Sequence, residues 1–342
     1  MLSCLLLSLS ACNSDRYLSF LNPQGPIAAA ERTHFLVVVG ILAVFVALPI
    51  FLFLPWVLWR YRYRATASAY RPGWKANLPL EIFTWAGPIL IVIVLSVMVW
   101  HYAHQLDPYQ PLPSDAPHMQ IQAIGYDWKW LSIYPEQGIA SVGTLVIPVD
   151  KPVAMKLTSA TVMQSLHIPA LASQIYAMGG MITQLHFQAS RPGRSLGENN
   201  MYNGDGFHTQ RFTAIAMPPA QFQAWVDNVK NTGIPLNDKT YAMVARQGTR
   251  TQLAAALPQA PAQSGDIYFK DVAADLFPAV VQATKKGIAV TPSRATALLN
   301  SGSNWYCGAA PETPDRLASI LTRTTATSTA FTAIAPVTEV AP

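Results

Sequence analysis

The spacing of apolar residues changes along this chain, and each change predicts a different kind of element. Phe35–Trp59 and Ile82–Trp100 carry no charged residue. As helices rising ~1.5 Å per residue, runs of this length suit the ~30 Å hydrocarbon core of a bilayer. Pro49 and Pro55 are expected to kink the second half of the first run, and Pro88 lies near the start of the second. A membrane helix tolerates such prolines where neighbouring groups satisfy the freed carbonyls. Trp56, Trp59, Tyr61 and Tyr63 at one end, and Trp100 and Tyr102 at the other, are rings suited to a membrane–water boundary.

Beyond His118 the period drops to two. Met119–Tyr134, Gly143–Ser159, Met181–Ser190 and Gln210–Met217 read as strands separated by Gly, Pro and Asp breaks. Trp128 and Trp130, two residues apart, are expected on one strand face, packing in a core or an interface. Strands of this kind predict a small Greek-key sandwich or barrel. After Pro218-Pro219 the period becomes helical, with Phe222, Trp225, Val226 and Val229 on one face and Pro219 in the first turn. Tyr241–Ala256 and Asp271–Lys286 read as further helices, joined by the Pro/Ala-rich Leu257–Gly265, and Lys285-Lys286-Gly287 as a helix stop. Beyond Pro311 a Thr/Ala/Pro-rich stretch has no period, and disorder is expected.

Composition agrees with a membrane part plus one domain: 51% of the 342 residues are apolar and only 12% charged. The net charge of +5 is unevenly placed. Arg60, Arg62, Arg64, Arg71 and Lys75 all fall between the two apolar runs. Positive residues stay cytoplasmic, so this loop is predicted inside and both chain ends outside. Lys and Arg nearly balance Asp and Glu from Leu106 to Ala310, so no basic folded face speaks for nucleic acid. The three cysteines, Cys4, Cys12 and Cys307, have neither zinc nor thioredoxin spacing. The apolar Leu2–Ala11 ends in L-S-A-C, which resembles a bacterial lipoprotein signal with Cys12 as the acylated residue; the alternative is a chance small-residue run, since no Lys or Arg precedes it. Cys307 reads as an idle tail cysteine or an intermolecular thiol.

One loop speaks to chemistry through what it lacks. Gly197–Gln210, G-E-N-N-M-Y-N-G-D-G-F-H-T-Q, has the spacing of the copper loop C-x3-C-x3-H-x2-M, with Asn199, Asn203, Phe207 and Gln210 at the ligand positions. The upstream strand V-M-Q-S-L-H-I-P-A-L has Gln164 where such a site takes its first histidine. A dinuclear copper centre needs bridging thiolates with imidazole and thioether at the ends; neutral amides are weak ligands and a phenyl ring is none. His167, Met178, Met181, His186 and His208 lie nearby in sequence, but a mononuclear blue-copper site also needs a cysteine thiolate, which this region lacks.

Three longer motifs accompany that loop: D-W-K-W-L-S-I-Y-P-E-Q-G-I-A (Asp127–Ala140), S-Q-I-Y-A-M-G-G-M (Ser173–Met181) and D-I-Y-F-K-D-V (Asp266–Val272). With the apolar hairpin and the copper-type loop, the chain resembles subunit II of the haem-copper respiratory oxidases, in the cytochrome bo-type ubiquinol oxidase branch, from about Cys12 to Gly287. The resemblance implies a membrane helix hairpin followed by an all-β cupredoxin-like Greek-key periplasmic domain with C-terminal helices. The expected boundaries are a lipoprotein signal peptide at 1–11, a periplasmic arm at 12–33, a two-helix transmembrane hairpin at 34–104 with a cytoplasmic loop at 60–78, a cupredoxin-like domain at 116–232, a helical arm at 233–288 and a largely disordered tail at 289–342. It further implies a proton-pumping ubiquinol:oxygen oxidoreductase of the bacterial inner membrane. Subunit I would hold the haems, the copper and the ubiquinol site, with subunits III and IV as further partners. No metal or cofactor is expected on this chain, and no cytochrome c.

Glu81 in N-x-x-x-E…W (Asn77, Glu81, Trp85) corresponds to a glutamate at the mouth of a proton channel into subunit I. The alternative is an interfacial acid favoured by the helix dipole. Two other functional classes stay open from residues alone: a copper-bearing cytochrome c oxidase subunit, and a membrane-anchored periplasmic lipoprotein for assembly or binding.

Overall fold

A computed structural model describes residues 20–62, 77–114, 116–257 and 266–300. The lipidation residue Cys12, the signal segment 1–11, most of the inside loop, Cys307 and the tail from 301 lie outside the described residues.

The first apolar run forms helix α1, Pro26–Arg60, and the second forms α2, Leu78–Gln105. Their most apolar windows reach mean hydropathies of 3.1 and 2.5. Packing within the chain does not hide these windows: apolar side chains such as Leu36, Phe51, Phe83 and Trp100 are exposed. That exposure is what a lipid- or subunit-facing helix requires and a soluble core helix does not. Pro49 acts differently from a simple kink. The turn before it, Ala43–Ala47, is π-helical, and the Leu48 N–H reaches back to the Ala43 carbonyl. Widening the turn adapts the ladder where Pro49 offers no N–H. The helices meet at one end, where the His34 and Tyr102 rings lie 4.0 Å apart.

The β domain has two sheets. The larger runs in the order β11-β12-β3-β2-β1-β5-β8 and the smaller in the order β4-β10-β9-β6-β7. Here β1 is Met119–Tyr126, β2 Lys129–Tyr134, β3 Ile139–Val142, β4 Thr144–Pro148, β5 Val153–Ser159 and β6 Gln164–Ile168. The others are β7 Ala172–Ala177, β8 Thr183–Phe187, β9 Gly193–Asn199, β10 Arg211–Met217, β11 Ile234–Pro235 and β12 Ile267–Lys270. Strands β1 and β5 pair in parallel, as do β4 and β10, so the chain crosses between sheets rather than winding as a meander.

Helices α3, Pro219–Thr232, α4, Asp238–Ala245, α5, Arg250–Ala256, α6, Leu276–Lys286, and α7, Ala295–Asn300, follow or interrupt the last strands. One core fills the space between the sheets, with Ile121, Tyr134, Leu157, Phe187 and Phe212 among its members. A second lies under the C-terminal arm, where Leu131, Ile133, Tyr241, Leu253, Phe269 and Phe277 cluster. This second core explains why β2 is buried at all six positions instead of alternating: both faces of the sheet are covered.

Several sequence expectations change here. The arm over 233–288 is not purely helical, because β11 and β12 extend the larger sheet past β3. The helix expected over Tyr241–Ala256 is two helices. Gly248 at φ +154 breaks it, and a capping box between Thr249 and Gln252 restarts it. The helix expected from Asp271 starts at Leu276. Asp271 itself turns the chain at φ +55 after β12. Gly287 ends that helix in the left-handed region, φ +64, as the Lys-Lys-Gly stop predicts. Trp128 is on no strand. It sits at φ +68 in the two-residue turn between β1 and β2, while Trp130 is buried on β2.

The start of α1 is fastened to the β domain. Gln24 donates its backbone N–H to the Ala170 carbonyl at 2.7 Å and accepts at its own carbonyl from the Ser190 N–H at 2.8 Å. Its side-chain Oε1 accepts from the Ser195 hydroxyl at 2.8 Å. Arg191 donates to the Asn22 side chain and to the Pro23 carbonyl. Gly25 passes so close to the Gln188 carbonyl that a Cβ there would overlap it. Gly25→Ala is therefore expected to cost about 1–3 kcal/mol. Thermal unfolding of the detergent-solubilised chain would show a lowered midpoint; an unchanged midpoint would mean the junction gives way freely.

Candidate functional site

The copper-type positions converge through the sheet. Strand β6 places Gln164, the end of β9 places Asn199, the following loop places Asn203, and Gln210 immediately precedes β10. Strand β9 pairs with both β6 and β10, so these four side chains meet above adjacent strands of one sheet. Gln164, Asn199 and Gln210 are buried and Asn203 is half-buried.

Their amides form one network. Gln210 Oε1 accepts from Asn203 Nδ2 at 2.7 Å and from Asn199 Nδ2 at 3.0 Å. Gln210 Nε2 donates to Gln164 Oε1 and, at 3.4 Å, to the Tyr126 carbonyl. Gln164 Nε2 donates to the same carbonyl at 3.1 Å. Asn199 Oδ1 accepts from the backbone N–H groups of Ser165 and Met201, both at 2.9 Å. Each amide supplies both a donor and an acceptor, so a chain of them can pair without a charge. Such a network is strong only when nearly complete, because a buried polar group left unpaired costs about 1–3 kcal/mol. Asn203 Oδ1 is the amide oxygen of this set that has no partner among the described residues.

Phe207 does not join the network. It packs against the exposed Tyr202, with ring centroids 5.8 Å apart. The other nearby candidates also go elsewhere. His186 is buried on β8, its Nδ1 3.0 Å from the Pro108 carbonyl. His167 Nδ1 accepts from Asn200 Nδ2 at 2.9 Å, and burial lowers its pKa against the opposing pull of Glu198. Among the described residues, no three His, Cys, Asp or Glu side chains group as a metal site. The donor set at the copper-type positions consists of neutral amides. It does not fit a thiolate-bridged centre.

The turn before β2 supports this site in a way that sequence spacing did not reveal. Trp128 Nε1 donates to the Asn203 carbonyl at 3.2 Å. Its indole lies against Gly204 and Gly206, where a Cβ on Gly206 would overlap the ring. A tryptophan at positive φ is costly, and the loop contacts hold it there. The clue in the sequence was the pair of glycines in N-G-D-G, which leave a flat surface for a large ring.

Beside it, Lys129 is buried and points away from the amides. Its Nζ donates to the carbonyls of Arg246 at 2.6 Å and Gly248 at 3.0 Å, tying β2 to the break between α4 and α5. A cleft of about 260 Å³ opens there, lined by Lys129, Met243, Arg246, Thr249 and Gln252 among others. Tyr126 adds a second tie, donating its hydroxyl to that of Tyr241 at 2.9 Å. Burial pushes both phenols up.

Glu81 stands apart from all of this. It lies exposed in the first turn of α2, where Asn77 caps the helix by accepting from the Leu80 N–H at 3.4 Å. Negative charge is favoured at this end by the helix dipole.

Residues 139–207 match the family described as cytochrome c oxidase subunit II, periplasmic domain. The ubiquinol oxidase subunit 2 of Acetobacter aceti is 37% identical over 290 residues, covering 84% of this chain and 88% of that protein. The cytochrome bo(3) ubiquinol oxidase subunit 2 of Pseudomonas aeruginosa is 40% identical over 224 residues, covering 66% of this chain and 67% of that one. Among solved structures, the periplasmic domain of subunit II of cytochrome oxidase from Bradyrhizobium japonicum aligns with a TM-score of 0.33 at 23% identity, over 36% of this chain and 98% of its own.

Burial draws the Lys129 pKa down to about 8, with Asp127 opposing. Unfolded lysine titrates at ~10.4, so the unfolded chain binds more protons between the two values. The cost of the buried cation is present in full below about pH 8 and fades as pH rises toward ~10. In denaturant unfolding, the wild-type chain is expected to gain stability relative to Lys129→Met across that window. A pH-independent difference would show that Lys129 keeps an ordinary pKa.

Proposed function

We propose that this chain, which belongs to the ubiquinol oxidase subunit 2 family, serves its oxidase as a subunit without a redox centre of its own. The chain is a membrane-anchored subunit of a haem-copper quinol oxidase, an oxidoreductase. The single observation behind the non-redox reading is the amide network: apart from Asn203 Oδ1, the side-chain polar atoms of Gln164, Asn199, Asn203 and Gln210 pair with one another, with backbone groups and with neighbouring hydroxyls. A ubiquinol donor explains why that is tolerable. It is lipid-soluble and gives up its electrons within the bilayer, so a periplasmic electron relay is unnecessary.

In this reading subunit I carries the haems, the copper and the quinol site, and oxygen is reduced there to water with proton translocation. The present chain braces subunit I, with subunits III and IV completing an assembly in the bacterial inner membrane. The basic loop between α1 and α2 faces the cytoplasm, and the β domain faces the periplasm. Cys12 is the lipidated N-terminus of the mature chain. No metal is assigned to this chain, and no cytochrome c to its surface.

Affinity purification through this chain tests the central claim. The expected result is co-elution with haem-bearing partners that consume oxygen with ubiquinol, copper that stays with the haem-bearing subunit when the subunits are separated, and no near-infrared band of a thiolate-bridged copper pair. Recovery without haem, or copper retained on the separated chain, would overturn it.

Glu81 is assigned to the entrance of a proton path into subunit I, supported by its exposed place in the first turn of α2. Glu81→Gln is expected to lower both turnover and the number of protons moved per electron, with haem content unchanged. Unaltered pumping would leave Glu81 as a helix-terminal charge only.

A further inference from the structure

Asn203-Gly204 is the single Asn-Gly step in the chain, and it lies inside the amide network. Such a step is chemically fragile. The backbone nitrogen of the glycine, unhindered by a Cβ, attacks the asparagine Cγ. A C–N bond forms, the side-chain nitrogen departs as ammonia carrying the displaced proton, and a succinimide is left. Water then opens that ring at either carbonyl, to aspartate or isoaspartate, so the balance is asparagine plus water giving acid plus ammonia. Gly204 has the positive φ, +110, that suits glycine here. The reaction also needs the side chain to swing its Cγ toward the Gly204 nitrogen, and that freedom is what the structure controls.

Both halves of Asn203 are held. Its Nδ2, the nitrogen that would leave, donates to Gln210 Oε1 at 2.7 Å. Its own carbonyl accepts from Trp128 Nε1 at 3.2 Å, which restrains the peptide that would supply the attacking nitrogen. The indole behind Gly204 and Gly206 limits the loop further. Asn203 Oδ1, where negative charge would develop during the attack, accepts no hydrogen bond from the described residues. Two hydrogen bonds therefore oppose the motion that leads to the tetrahedral intermediate.

We infer that Asn203 is a deamidation site latched shut by Gln210 and Trp128, so that the amide network protects the loop chemically as well as packing it. Failure of the latch has a defined structural consequence. An aspartate at 203 presents only acceptors to Gln210 Oε1, already an acceptor, and a donor–acceptor pair becomes a repulsive one. The Gly197–Gln210 loop would then loosen from β1 and β6. The latch does not depend on whether this chain holds a redox centre.

The test is peptide mass spectrometry of the full chain in its purified membrane complex, aged at mildly alkaline pH, with isoaspartate-specific methylation as a second readout. The native chain is expected to deamidate at Asn203 much more slowly than the same chain in denaturant. Gln210→Leu should raise the native rate roughly ten-fold, the equivalent of one net hydrogen bond. Because Gln210→Leu can also disturb folding, Trp128→Phe provides the second variant: it removes the Nε1 donor together with the part of the indole that lies near Gly204. It should also raise the native rate while the complex keeps a cooperative thermal transition. Asn203→Gln should abolish the modification at this step. A native rate equal to the denatured one, or rates unmoved by both Gln210→Leu and Trp128→Phe, would overturn the inference.

Discussion

Buried amides must pair, and in this protein Gln210 is where they do so. Its oxygen accepts hydrogen bonds from the Asn199 and Asn203 amides, and its nitrogen donates to Gln164 on β6 and to the Tyr126 carbonyl on β1. One side chain thus joins both sheets and the loop between β9 and β10. The low dielectric of the site strengthens each bond and equally raises the cost of any group left unpaired. Neutral amides satisfy this without importing a charge, which is why they can occupy positions that a metal loop would give to thiolates and imidazoles.

The β1–β2 turn carries the consequences outward. Tyr126, Trp128 and Lys129 are nearly consecutive, yet each is committed to a different neighbour. Trp128 clamps the copper-type loop through Asn203, while Lys129 and Tyr126 hold the helical arm through the Arg246 and Gly248 carbonyls and Tyr241. Strain at the left-handed Trp128 is offset by contacts on the loop side of the turn, and the cost of burying the Lys129 cation by contacts on the arm side. At the opposite end Gln24 and Arg191 fasten the root of α1 to the same domain, so the membrane hairpin and the β domain are joined by hydrogen bonds as well as by the chain itself. The hairpin, in contrast, buries almost nothing of its own apolar surface. Its stability must come from the bilayer and from partner subunits.

Residue order alone specifies the parts whose physics is local. An uncharged run long enough for a bilayer, a period-two stretch, Pro219 opening a helix and Gly287 closing one need only their immediate neighbours. It also determined the donor chemistry of the copper-type positions, because four residue identities at fixed spacing exclude a thiolate bridge whatever the fold. Tertiary structure alone decided the matters that depend on residues far apart in the chain. The full burial of β2 depends on an arm more than a hundred residues downstream in sequence, as the Lys129–Gly248 bond shows. The turn at Trp128 looked like a strand because alternation continues through it, and only a loop with two glycines placed against the ring makes its positive φ tolerable. Gln164 and Gln210 are separated by 46 residues, and their pairing required β6, β9 and β10 to lie side by side. Local propensity can specify which amides are present, but hydrogen bonds between them exist only where the sheets bring them within about 3 Å.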